Sequence, residues 1–145
     1  MKIIIDANIV FGGILNTKGK IGDLLINSKS KFELIAPNFL RAEIQKNYPK
    51  LMKLSGLTLQ QIQESEFQIC KNIIFISEEQ IILSNWLIAE KLVADVDPND
   101  IHYIAYSKQF KCKIWSGDKA LRKGLAKKGF VNFVTTDERF ESRES

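Results

Sequence analysis

The chain is poor in the residues that hold soft metals. It has one histidine, and its two cysteines, Cys70 and Cys112, stand apart rather than in CxxC pairs. Zinc sites draw several such ligands at close spacing, so a zinc centre is not expected. Both cysteines lie in apolar stretches, which predicts buried thiols. A disulfide framework is not expected, and a reducing cytoplasm is the expected compartment. Long apolar runs are missing as well. The run after Met1 is too short for a signal peptide, and no segment is long and apolar enough to span a bilayer, so no membrane partner is expected. With three prolines and eight glycines, the chain has no linker rich in Pro, Gly or Ser, no internal repeat and no low-complexity tract. One domain over residues 1–145 is the expectation, with a polar tail over 136–145.

What is present suffices for a packed core. Apolar residues make up 45% of the 145 positions and charged residues 26%, which excludes bulk disorder. The formal net charge is +4, compatible with a nucleic-acid partner without requiring one.

Five short apolar runs read as strands: 2–7, 32–37, 72–77, 113–116 and 131–135. Their β-branched and aromatic content supports this, and weak alternation in IIID and IIFI predicts strands covered on both faces. Helical patterns lie between them at 21–29, 38–54, 57–71, 82–93, 99–110 and 117–129. Pro49 predicts a kink or break in the second pattern, and Gly129 a stop for the last. Strands alternating with helices predict an α/β fold around a parallel sheet of about five strands, flanked by helices. The apolar segment 82–93 is a candidate contact face, though its pattern fits core better.

Four acids stand at informative places. Ligands of open parallel sheets bind beyond the carboxyl ends of strands. Asp6 ends the first strand, and Asp118 follows a later one in KIWSGD; if those strands are neighbours, the two acids share one rim. Glu43 borders the apolar stripe of Phe39, Leu40 and Ile44 on a helix. Asp100 opens the helix NDIHYIAYS, three residues after Asp97. Each acid also has a plain structural role available. Asp6 can end a turn, Asp118 can cap the helix KALRKGL, and Asp97 with Pro98 and Asp100 resembles a capping box. Taken together, carboxylates converging on one rim would repel one another unless a cation neutralised them. Hard oxygen ligands suit magnesium or manganese. Such an ion polarises a phosphoryl oxygen and helps deprotonate water, alone or with a second ion about 4 Å away. Lys119, Arg122, Lys123, Lys127 and Lys128 crowd the last helix, as a solvated face or as a grip on a phosphate backbone.

Over nearly its whole length the sequence resembles the PIN domain ribonucleases. The opening strand with Asp6 and Asn8, Glu43 early on a helix after the second strand, Asp100 before an alanine-bearing helix, and the Ser116-Gly117-Asp118 segment carry the likeness. No one motif is specific, but their order and spacing together are. The resemblance implies a PIN-like three-layer fold and cleavage of RNA dependent on Mg²⁺ or Mn²⁺. Asp6, Glu43, Asp100 and Asp118 would be the catalytic metal ligands, and Asn8 and Ser116 would orient carboxylates or water. Small members are often VapC-type toxins with an antitoxin partner and commonly form homodimers; an orphan RNA-processing nuclease would look the same. Ala7 departs from the pattern, since many members carry Ser or Thr there. Either Asp97 or Asp100 could be the ligand; the interval to Asp118 favours Asp100, with Asp97 as cap or outer support. Asp137 could reach the rim or serve a turn. His102 reads as a packing or surface residue. Two rivals have other chemistry. One is a non-catalytic PIN-like module that binds RNA or protein. The other is a receiver-like domain, disfavoured because the first strand offers one acid where that fold wants two.

Overall fold

The computed structural model describes residues 1–138. Five strands, β1 (Lys2–Ile5), β2 (Glu33–Pro37), β3 (Ile73–Ile76), β4 (Lys113–Trp115) and β5 (Phe133–Val134), form one parallel sheet in the order β3-β2-β1-β4-β5. The strand order therefore reverses between β1 and β4, where Ile3, Ile4 and Ile5 face Lys113, Ile114 and Trp115. The five strands expected from sequence are all present, the last trimmed to two residues.

Alternation along each strand sorts the core into two halves. Ile3, Ile5, Leu34, Ala36 and Trp115 pack on one side with Ile9, Val10, Leu24, Leu25, Ile62 and Ile69. Those partners come from α1 (Ala7–Leu15), α2 (Lys20–Asn27) and α5 (Leu59–Cys70). Ile4, Ile35 and Ile114 point the other way, onto Ala89, Val93, Ile104, Tyr106, Leu121 and Leu125. These belong to α6 (Leu83–Val93), α7 (Ile101–Phe110) and α8 (Lys119–Ala126). Apolar residues on both faces of every central strand are what a parallel sheet between helical layers requires.

The expected helix 38–54 is two helices, α3 (Phe39–Lys46) and α4 (Tyr48–Ser55), broken at Asn47. Pro49 sits in the first turn of α4, where its missing N–H costs nothing. Gly129 has φ of +84°, as a helix stop requires. Segment 82–93 is only half core. Ala89 and Val93 are buried, whereas Leu83 and Leu87 are exposed. In the expected tail, Glu138 forms a reciprocal pair with Thr135 just before it, each side chain accepting from the other's backbone N–H; residues 139–145 lie outside the described residues.

Helix α1 was not among the expected elements. Its sequence, ANIVFGGIL, is rich in glycine and β-branched residues, both weak helix formers. Tertiary packing explains it. A Cβ on Gly13 would stand 2.9 Å from the Leu25 side chain and 3.0 Å from that of Ile69, so glycine lets α1 approach α2 and α5. At Gly22 a Cβ would meet backbone instead, 2.4 Å from the Thr17 carbonyl oxygen. Side-chain ends can swing aside and backbone cannot. Gly22→Ala should therefore destabilise the protein by about 2–3 kcal/mol, and Gly13→Ala by less. Thermal melts of the two variants give the order, and a Gly13→Ala protein that melts below Gly22→Ala would contradict it.

Candidate active site

The pairing of β1 with β4 carries two acids to one rim. Just past the last paired residues, the Asp6 N–H reaches the Trp115 carbonyl at 3.5 Å. The chain then turns into a helix after each strand. Asp6 caps α1, its Oδ1 accepting from the Ile9 N–H at 3.1 Å. Asp118 caps α8, its Oδ1 accepting from the Leu121 N–H at 2.9 Å. The capping role foreseen for Asp118 is therefore real, and it coexists with placement at the rim. Between them lies Ser116, fully buried. Its Oγ accepts the Asp118 N–H at 3.1 Å, and its hydroxyl donates to the Asp6 carboxylate.

Asp6 is 5% exposed. Burial raises its pKa above the ordinary aspartate value, and the negative Asp118 adds to the rise; the Ser116 hydroxyl and the Ile9 and Asn8 amides work against it.

The third acid arrives on a different turn from the one expected. A capping box at Asp97 would have its side chain accept the Asp100 N–H. That N–H instead donates to the Asp97 carbonyl at 3.1 Å, closing a 3-10 turn over Pro98–Asp100. Asp100 takes the N-cap place of α7 without a side-chain cap bond. Asp100 shares a side-chain hydrogen bond with Asp97, and its pKa is pushed up to about 7. Burial is the first cause, followed by the charges of Asp97, Asp6 and Asp118. The charges of Asp6 and Asp118, from two other elements, thus both act on Asp100, that of Asp118 acts on Asp6 as well, and Asp97 joins through Asp100.

Glu43 stands apart from this group. It lines a cleft of about 590 Å³ together with Asn8, Lys46, Asp100, His102 and Tyr103. Its charge acts on Tyr103 and His102 of α7. Among the described residues no three His, Cys, Asp or Glu side chains stand close enough to hold a metal as they lie. The donor chemistry nonetheless fits a hard divalent cation. Every candidate ligand offers carboxylate oxygen, and mutual repulsion, already visible at Asp6 and Asp100, is what such a cation relieves. A roomier open groove, about 1130 Å³ between Thr17 and Gln68, contains none of these acids.

Other expected candidates are accounted for elsewhere. Asp137 pairs with Lys20 at 2.6 Å on the surface. His102 packs on Phe39, with ring centroids 3.9 Å apart, and edge-on to Trp86; burial lowers its pKa. Lys128 of the basic cluster is tied to Asp95 and the Leu92 carbonyl, whereas Lys119, Lys123 and Lys127 are exposed. Sequence reading missed two groups. Glu78, in a 3-10 turn after β3, accepts the Phe39 N–H at 2.9 Å and so holds the start of α3. Tyr103 lies one helical turn beyond Asp100 and faces the same cleft. The i+3 spacing from Asp100 was the available signal for Tyr103; Glu78, far along the chain from the helix it holds, offered none.

The PIN domain family model matches residues 4–140. In fold the chain is similar to a chain of VapBC2 from Rickettsia felis, crystallised bound to a DNA fragment from their promoter. The TM-score is 0.68 at 11% identity, over 93% of this chain and 97% of that one. At this identity the likeness concerns fold alone. No curated protein matches the sequence significantly.

The raised carboxyls set a pH dependence. Folding favours their protonated forms, so stability present at low pH is lost as pH rises from the unfolded to the native pKa. For Asp100 that window runs from about 4 to about 7. Asp100→Asn keeps the shape and removes the charge. In EDTA it should melt higher than wild type at pH 8 and alike near pH 4. A wild type that melts higher at pH 8 would show that the acids do not repel in the metal-free protein.

Proposed function

The chain belongs to the PIN domain family, and on that premise we propose that it is an endoribonuclease dependent on Mg²⁺ or Mn²⁺. The observation that carries this reading is the placement of Asp6 and Asp118 on one rim where the strand order reverses, close enough for the charges of both to act on Asp100. Asp6, Asp100 and Asp118 would hold the cation, with Glu43 reaching in from across the cleft. The ion, when bound, polarises the phosphoryl oxygen and offsets the charge of the reacting phosphodiester.

The chain's own groups do the rest. Ser116 fixes the Asp6 carboxylate from behind while anchoring the Asp118 backbone, so two ligand positions share one support. Asn8, at the cleft wall, is placed to orient a water or a carboxylate. Lys46 in the cleft and Lys119 beside Asp118 supply positive charge for RNA phosphates. A toxin paired with an antitoxin is the form of this reading supported by the likeness in fold to a VapBC2 chain.

One observation favours a second reading, a PIN-like module that binds RNA or protein without cutting. As they lie, the acids form no closed metal centre among the described residues.

Cleavage of a mixed RNA pool separates the two. Wild type should cut with Mg²⁺ or Mn²⁺ and not in EDTA. Asp6→Asn should lower the rate by more than about 100-fold while melting normally, because asparagine caps a helix as well as aspartate. A variant as active as wild type would remove Asp6 from the site. Wild type inert in every metal, with no divalent-ion binding, would favour the binding module.

A further inference from the structure

We propose that Tyr103 is a positioning residue of the acidic site, its hydroxyl donating a hydrogen bond to the Asp6 or Asp100 carboxylate when the acids take up a divalent cation. This rests on the metal-dependent reading above.

Tyr103 is 3% exposed, and its hydroxyl is buried with no hydrogen-bond partner among the described residues. Buried phenols ordinarily find one. The other two tyrosines of the chain do: Tyr106 donates to the Ile76 carbonyl at 2.7 Å, and Tyr48 to Glu66. Packing does not account for the Tyr103 hydroxyl. The ring lies against Phe39, with centroids 5.7 Å apart, inside an apolar cluster where phenylalanine would serve equally.

Its surroundings point to acceptors. The charges acting on the phenol are those of Asp6 first, then Asp100, then Glu43, three acids from three elements. The Ala7 N–H faces the phenol oxygen without closing a bond of normal geometry, which leaves the phenol proton to be given elsewhere. Burial and these charges push the phenol far above neutral pH, so it stays protonated and keeps its proton to donate. It is neither base nor nucleophile. A donor at this place favours the ionised carboxylate and fixes the orientation of the oxygens that meet the cation.

Tyr103→Phe removes the hydroxyl alone. In the metal-free protein it should melt at or above wild type, since an unpartnered buried group is lost. Its affinity for Mn²⁺, measured by calorimetry, should fall about 10-fold, and kcat on RNA should fall with KM unchanged. In wild type, the Tyr103 Cζ resonance should move on addition of Mg²⁺, a measurement that does not depend on how the variant folds. If wild type binds Mn²⁺ and Asp6→Asn loses it, while Tyr103→Phe binds as wild type does and the Cζ resonance stays fixed, this inference alone fails. If wild type binds no Mn²⁺, the metal-dependent reading falls and takes this inference with it.

Discussion

Side-by-side pairing of β1 with β4 is the constraint on which the site depends. These strands are far apart in sequence, and parallel pairing with Ile5 opposite Trp115 makes both end at the same level. Because the chain departs to opposite sides of the sheet on the two sides of this junction, a crevice opens there. A slip of one residue would turn Trp115 and Ile114 onto the wrong faces. The apolar halves of the core therefore hold the acids in register.

Two acids are held there by the backbone amides of the helices they start. Asp6 and Asp118 each accept an N–H at a helix N-terminus, where the positive end of the helix favours negative charge. Structural and chemical roles are here one arrangement: the cap fixes the carboxylate at the rim. Asp100 has no such bond and shares a hydrogen bond with Asp97 instead. Its charge is thus the least supported of the three in the metal-free protein.

The strands were legible because their residues are apolar on both faces and short turns bound them. The placement of Asp6, Asp100 and Asp118 near one another was legible because strand ends and helix starts are local signals. Three things were not. Helix α1 looks like anything but a helix, since Gly12 and Gly13 sit where the fold needs close approach rather than helix propensity. The 3-10 turn at Pro98 turns on which acceptor wins the Asp100 N–H, the Asp97 carbonyl or its side chain, and spacing cannot decide that. Tyr103 carries no motif. Its position becomes informative only when α7 lies against the end of β1 and the hydroxyl can be seen to lack a partner among the described residues.

The sheet ends unequally. At one margin β5 offers two residues, and at the other β3 offers four, with Ile74 exposed. A strand from another molecule seeking open amides and carbonyls would find almost no ladder to continue at β5. Growth of the sheet by strand addition is thereby directed to the β3 margin, two strands away from β1 and Asp6.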